Sequence, residues 1–417
     1  MLIDPTRALA FDLVTAVLDR QTTLDAALTA LRGNADPRDR AAAHRIAATV
    51  LRYLGSLDAM IEAHVQRAPP PPVQHILRIG AAQSLYLGTS PHAAVTTAVE
   101  LARTRGLGKF TGMVNAVLRR VSEAGPDGLA SLDLPRLDTP SWLWSSWGPR
   151  ARDVALGHRS EAPLDLSLKP GSAAPEGAIL LPTGTARLPA GTDVTALPGF
   201  AAGTFWVQDA AAALPARLFG DVAGQRVLDL CAAPGGKTMQ LAAAGAQVTA
   251  LDRDPKRVAR LTSNLHRLGL TADIRIADAL SASTSDHFPL ILLDAPCSAT
   301  GTIRRHPEIM HLRRQSDVIN RTIIQDQLID AAIARLAPGG TLVYAVCSLQ
   351  TQEGSDRVKA ALRRHDLVID PIQPSELPGL DAAITKSGTF QTDPGFWPAQ
   401  GGIDGFFVAR LKRNSNS

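Results

Sequence analysis

At 417 residues the chain is too long for one ordinary core, and its 45% hydrophobic and 20% charged composition excludes a disordered protein. No run of about eighteen apolar residues marks a membrane span. Asp4 and Pro5 stand where a secretory leader would carry a basic start, so a cytoplasmic protein with no membrane partner is expected. The three cysteines, Cys231, Cys297 and Cys347, are too few, and odd in number, for a disulfide framework. No Cys-x-x-Cys or His-rich spacing points to a metal, so no metal is expected and thiol chemistry stays open. The net charge is +4, and the first 125 residues carry fourteen Lys and Arg against ten Asp and Glu, which leaves the remainder balanced. A basic module beside a neutral one is compatible with nucleic-acid phosphates, and equally with an arginine-rich helical surface.

In chain order, residues 5–124 read as helices. Leu9, Leu13, Val14, Val17 and Leu18 repeat at helical spacing, as do Ile46, Val50, Leu51 and Leu54. Ile76, Leu77, Leu85 and Leu87 follow less regularly, then Val114, Val117, Leu118 and Val121. Pro69 to Pro72 must interrupt a helix, and Ser90-Pro91 has the form of a helix start. An all-α bundle over 1–125 is predicted. Residues 125–140, rich in Gly, Pro, Asp and Ser, read as a linker. A short helix with Trp142, Trp144 and Trp147 follows, and packing between domains is the favoured use of those rings over base stacking. Residues 161–205 read as a few strands and turns, which makes 126–205 a linker plus a small α+β subdomain.

From residue 206 the pattern alternates. Strand-like runs lie at Arg226–Leu230, Val248–Leu251, Ile274–Ala277, Leu290–Leu293 and Leu342–Val346, with helical stretches around 235–244, 255–268 and 316–336, and a final strand at Gly405–Leu411. Such alternation predicts an α/β domain over 206–417, with a doubly wound, mostly parallel sheet.

The first of these strands runs into Cys231-Ala-Ala-Pro-Gly-Gly-Lys237. In a doubly wound sheet ligands bind beyond the carboxyl ends of the strands, where glycines allow close approach and the next helix offers free N–H groups. The run is neither the dinucleotide fingerprint nor a phosphate loop. Asp252, Asp278 and Asp294 each stand just past a strand end. Asp252, about twenty residues after the glycines, is placed for ribose hydroxyls, and Asp278 for the amino group of an adenine. Positive charge is sparse beyond Lys237 and Arg257, so the ligand that fits is a nucleoside without phosphates. S-adenosylmethionine, whose sulfonium favours nearby carboxylates, suits this set.

Four runs, Cys231-Ala-Ala-Pro-Gly-Gly-Lys237, Asp294-Ala-Pro-Cys-Ser-Ala-Thr-Gly301, Arg304-Arg-His-Pro307 and Tyr344-Ala-Val-Cys-Ser348, together resemble the Sun/Nop family of RNA cytosine-5 methyltransferases, in its bacterial RsmB subgroup. The likeness covers nearly the whole chain. It implies a Rossmann-like class I S-adenosylmethionine-dependent methyltransferase domain preceded by an all-α NusB-like RNA-binding bundle, with small-subunit ribosomal RNA as substrate. It places cofactor contacts on Cys231, Ala232, Ala233, Pro234, Gly235, Gly236, Lys237, Asp252, Asp278 and Asp294, to which we add Arg257. It also places the nucleophile at Cys347 and an assisting thiol at Cys297. Two departures stand out. Val346 precedes Cys347 where the family usually has Thr, and Leu166-Ser-Leu-Lys169 stands where an Arg-x-Asn element is usual.

The chemistry accounts for these residue types. Adding a thiolate to carbon 6 of cytosine makes carbon 5 nucleophilic towards a methyl group, and a base must then remove the carbon 5 proton before the thiol leaves. By the resemblance Cys347 attacks, Asp294 supports a proton on ring nitrogen 3, and Cys297 helps release. The residue pattern alone does not rank Cys297 against Cys347, since DNA cytosine methyltransferases use a cysteine in a Pro-Cys turn. Cys231 is read as a backbone contributor to the cofactor loop. Arg304, Arg305 and His306 are expected to hold RNA phosphates near the site's mouth. A monomer is expected. Transfer-RNA cytosine-5 methylation, amino-nitrogen methylation and a non-catalytic RNA-binding factor with a degenerate methyltransferase fold are the alternatives.

Overall fold

A computed structural model describes residues 4–31, 36–281 and 286–415. The chain divides into two compact units, one of Met1–Ser160 with Ile303–Arg314, the other of Glu161–Thr302 with Gln315–Ser417. These limits do not follow the expected ones at 125 and 205. None of the helices among the described residues is long and apolar enough to cross a membrane.

The first unit is helical: α1 (Pro5–Leu18), α2 (Leu24–Ala30), α3 (Pro37–Arg52), α4 (Leu54–Glu62), α5 (Pro71–Leu85), α6 (Pro91–Thr104), α7 (Thr111–Ala130), α8 (Leu134–Leu137), α9 (Ser141–Trp147) and α10 (Ala151–His158). Several starts are written locally. Asp4, Asp36 and Ser90 each accept a hydrogen bond from a first-turn N–H, and a proline follows each, with its φ already helical. Pro71 and Pro72 likewise open α5, which starts without a side-chain cap. Leu13, Val14, Val17, Val50, Leu51, Ile76, Leu77, Val114, Leu118 and Val121 form one buried cluster, so the helical spacing read from sequence is the core face. Each such Leu or Ile stabilises the unit by roughly 1.5–3 kcal/mol.

The 125–140 stretch is mostly helix rather than linker. Gly125, at φ 51°, bends α7 just before Pro126, and the helix then continues. Two of the tryptophans make ring contacts inside the first unit: Trp147 lies 5.4 Å from the His158 ring, and the Arg136 guanidinium lies 5.4 Å from the Trp144 ring.

In the second unit β1 (Leu164–Leu168), β2 (Ile179–Leu180), β3 (Ala186–Leu188) and β4 (Phe205–Val207) form an antiparallel sheet in the order β2-β3-β1-β4. The short α11 (Leu214–Arg217) leads to the main sheet. Its elements are β5 (Arg226–Leu230), α12 (Gly236–Ala243), β6 (Gln247–Asp252), α13 (Pro255–Leu268), β7 (Asp273–Ile276), β8 (Phe288–Asp294), α14 (Ile309–Leu312, within the first unit), α15 (Gln315–Ala334), β9 (Leu336–Val346), α16 (Ser355–Arg364), β10 (Leu367–Ile369), β11 (Phe390–Gln391) and β12 (Phe407–Arg413). The order is β10-β12-β9-β8-β5-β6-β7, with β11 beside β12. Strands β5 to β9 pair in parallel, while β12 runs antiparallel to β9. The doubly wound α/β architecture expected from the alternation is present, with antiparallel strands at one edge.

Candidate active site

From β5 the chain winds outward through β6 to β7, then returns to place β8 on the other side of β5. The reversal makes the carboxyl ends of β5 and β8 the switch point, where an open α/β sheet leaves a crevice. The loop Cys231–Lys237 leaves β5 there. Cys231 holds φ 61°, a left-handed conformation that a side chain adopts only under constraint. Gly235 has φ 105°, and a Cβ on it would come within 2.8 Å of Leu261 Cγ, so glycine lets α12 start tight against α13.

A cleft of about 160 Å³ opens beside this loop, lined among others by Cys231, Asp252, Arg253, Asp278, Leu280 and Pro296. Asp252 Oδ2 accepts from Ala233 N at 3.0 Å and its Oδ1 accepts from Asp254 N at 3.0 Å. Asp278 Oδ1 accepts from Leu280 N at 2.9 Å. Arg257 lines the same cleft and donates to the Ala233 carbonyl, with its Nη1 3.7 Å from Asp252 Oδ2. Asp252 and Arg257 thus pin the loop backbone from both sides of Ala233. Of the loop itself only Cys231 lines the cleft; Ala232, Ala233 and Gly235 are buried, and Pro234 is exposed.

Lys237 does not line the cleft. Its Nζ reaches Asp294 Oδ2 at 2.6 Å and lies 5.2 Å from the Phe406 ring. It therefore ties the start of α12 to the end of β8. Beneath the loop, Asp229 is fully buried; Thr238 Oγ1 donates to its Oδ2 at 2.6 Å, and Oδ1 has no partner. Burial pushes the Asp229 carboxyl up to about 7, against the hydrogen bond from Thr238 and the charge of Lys237. The Cys231 thiol is pushed up to about 12 by burial and then by the carboxylates of Asp252 and Asp294, so it stays protonated.

The other two cysteines meet. Strands β8 and β9 are parallel neighbours in register Asp294↔Ala345, so the loops that follow them leave the sheet side by side. Cys297 Sγ and Cys347 Sγ lie 3.4 Å apart. Cys297 is 8% exposed, and Cys347 is half-buried. The hydrogen bond with Cys347, then burial, hold the Cys297 thiol well above its ordinary range. Gly301 N donates to Cys347 O at 3.0 Å. A Cβ on Gly301 would sit 2.0 Å from Gly405 O, so this backbone crossing admits only glycine. Val346, which replaces the usual Thr, is fully buried in the sheet, where an apolar side chain is at home.

One expectation is corrected. Arg304 is 1% exposed and cannot reach RNA phosphates. Its segment belongs to the first unit: Arg52 Nη2 donates to Arg304 O at 2.8 Å, and His311 Nε2 donates to Leu51 O at 2.8 Å. Ile303, Ile309 and Met310 of the same segment are buried too, and Leu312 packs against the helical core. Arg305 is exposed, and His306 is half-buried with Nδ1 3.8 Å from Glu308 Oε1. Sequence reasoning missed Ser298, Ser348 and Glu353, which join the two cysteine loops. The signal was a Cys-Ser pair at both strand ends with a lone glutamate six residues after Cys347.

Residues 218–412 match the 16S rRNA methyltransferase RsmB/F family, and residues 4–123 match the NusB family. Ribosomal RNA small subunit methyltransferase B of Cronobacter sakazakii is 34% identical over 434 residues, covering 97% of this chain and 98% of the relative. The Salmonella typhi protein of the same name is 34% identical over 435 residues with the same coverage. The chain belongs to the RsmB methyltransferase family. It is an S-adenosylmethionine-dependent RNA methyltransferase with an N-terminal NusB domain. Among solved structures, PH0851 aligns with a TM-score of 0.75 at 22% identity, covering 99% of each chain. A methyltransferase homolog from Pyrococcus horikoshii aligns with a TM-score of 0.55 at 24% identity over 65% of this chain and 93% of its own; both support the fold. The cleft fits the cofactor of this family. Its lining joins the carboxylates of Asp252 and Asp278 to apolar walls from Leu251, Ala279 and Pro296, a mixture that suits an uncharged nucleoside with a cationic sulfonium.

Proposed function

We propose that this RsmB-family chain methylates carbon 5 of a cytosine in 16S ribosomal RNA through a covalent bond between Cys347 and the base, and that it acts in the cytoplasm. The 3.4 Å contact between the thiols carries the reading. Cys297 is buried and Cys347 is half-buried, so Cys347 is the thiol that a base can reach.

S-adenosylmethionine, when bound, supplies an electrophilic methyl group. The protein's residues do the rest. Asp252 and Asp278 hold the cofactor, with the pinned Cys231–Lys237 loop behind them. Cys347 Sγ adds to carbon 6, forming an S–C bond and shifting the ring's electron pair towards carbon 5. Asp294, held by Lys237 Nζ at 2.6 Å, supports a proton on ring nitrogen 3, which disperses the charge on the attacked ring. Once carbon 5 carries the methyl group, a base takes its proton and the S–C bond breaks. Cys297, in contact with the departing sulfur, assists that release. The cytosine must leave its stack to reach the thiol, so a flipped or single-stranded base is required.

Bisulfite sequencing of ribosomal and transfer RNA, from cells with and without the gene, tests the substrate. We expect one small-subunit cytosine to lose its protection when the gene is absent. An unchanged small-subunit pattern, with a lost transfer-RNA signal, would reject ribosomal RNA as substrate.

A further inference from the structure

Glu353 lies in the turn between β9 and α16 and is fully buried. A carboxylate removed from water is costly unless its oxygens are satisfied, and here both are. Oε1 accepts from Ser298 N at 2.8 Å and from Gln325 Nε2 at 3.2 Å. Oε2 accepts from Ser298 Oγ and from Ser348 Oγ. Tyr344, from within β9, donates its hydroxyl to the Glu353 carbonyl at 2.6 Å.

Ser298 follows Cys297, and Ser348 follows Cys347. One carboxylate therefore grips the residue after each thiol. Gln325, on α15, also donates to Pro296 O at 3.1 Å, so Cys297 is held through the residues on both sides of it. Thr300 Oγ1 closes the network, 3.3 Å from Ser348 Oγ and accepting from Leu349 N at 3.1 Å. The two cysteine loops leave separate strands and have no covalent link, so something must set the distance between their sulfurs.

We infer that Glu353 is the positioning residue of the thiol pair: by accepting hydrogen bonds from Ser298 and Ser348 together, it sets Cys347 at its working distance from Cys297 and from the target base. The inference rests on the reading that Cys347 is the nucleophile. Glu353 touches neither thiol and acts through the two serines.

The test compares E353Q and the double variant S298A/S348A with the full-length wild-type chain. Readouts are single-turnover methylation of the RNA, cofactor affinity by calorimetry, and the pH profile of Cys347 alkylation by iodoacetamide. A misplacement of about 1 Å at a reacting atom costs about a hundredfold in rate. We expect kcat to fall by about that factor in E353Q. Cofactor affinity should stay unchanged, and the Cys347 alkylation profile should move. The serine pair keeps the carboxylate and the bond from the backbone N–H of residue 298 but removes both hydroxyl bonds, and should lower kcat in the same direction. Should E353Q fail to fold, the serine pair decides alone. Wild-type kcat and an unmoved alkylation profile in the folded variants would overturn the inference. C347S separates it from the reading beneath: methylation that survives C347S rejects both, whereas an inactive C347S beside a fully active E353Q rejects the positioning role alone.

Discussion

The loop after β5 and the paired loops after β8 and β9 use the same raw material to opposite ends. Each places a cysteine just past the carboxyl end of a parallel strand. After β5, burial and then nearby carboxylates push the Cys231 thiol up to about 12, so the loop contributes backbone. After β8 and β9, two thiols face each other at 3.4 Å, and one stays half-exposed. A strand-end cysteine becomes reactive or inert according to its surroundings: burial and then carboxylates silence Cys231, whereas Cys347 stays half-buried beside a second thiol.

The largest test of this contrast is at the paired loops. C347S should lose methyl transfer by about a thousandfold or more and form no covalent complex with RNA. C297S should instead accumulate a protein–RNA adduct that survives denaturing electrophoresis. A trapped species in C347S would exchange the two roles. Next comes thiol labelling. At pH 8 a group near 12 has only about one thiolate in ten thousand. Iodoacetamide should therefore modify Cys347 while leaving Cys231 unlabelled, as peptide mass analysis would show; equal labelling would erase the contrast.

The two smaller effects concern the cofactor side. D252N keeps the shape of Asp252 but removes its charge, and we expect about tenfold weaker S-adenosylmethionine binding in calorimetry. Unchanged binding would remove Asp252 from the cofactor site. Asp229 adds a pH dependence. Its carboxyl titrates near 7 when folded and near 4 when unfolded. The folded state therefore holds the proton more tightly. The stabilisation is full below the unfolded value, declines as pH rises from about 4 to about 7, and is gone above that. D229N should flatten the dependence of the thermal midpoint on pH across that window, and an unchanged slope would place Asp229 in contact with water.

How much was legible beforehand differs between the same regions. The strand runs of the second unit were readable because apolar residues cluster between turn residues, and the Cys231–Lys237 loop because its residues are contiguous. The helical core was readable from spacing. The 125–140 stretch was misread because Gly and Pro usually end helices, whereas Gly125 bends α7 and Pro126 opens its continuation. β10 and β11 are three and two residues long, too short for a pattern to register.

By itself the sequence determined which strands run into acids and cysteines, where helices start, and which faces are apolar, because these depend on neighbours within a turn or two of chain. Only the tertiary structure decided what those residues do. It drew Arg304 into the helical unit, where Arg52 bonds its carbonyl and His311 bonds Leu51 O. It brought Cys297 and Cys347, fifty residues apart, to 3.4 Å through the pairing of β8 with β9. And it placed a buried glutamate where both serines could reach it, a coincidence in space that no spacing along the chain records.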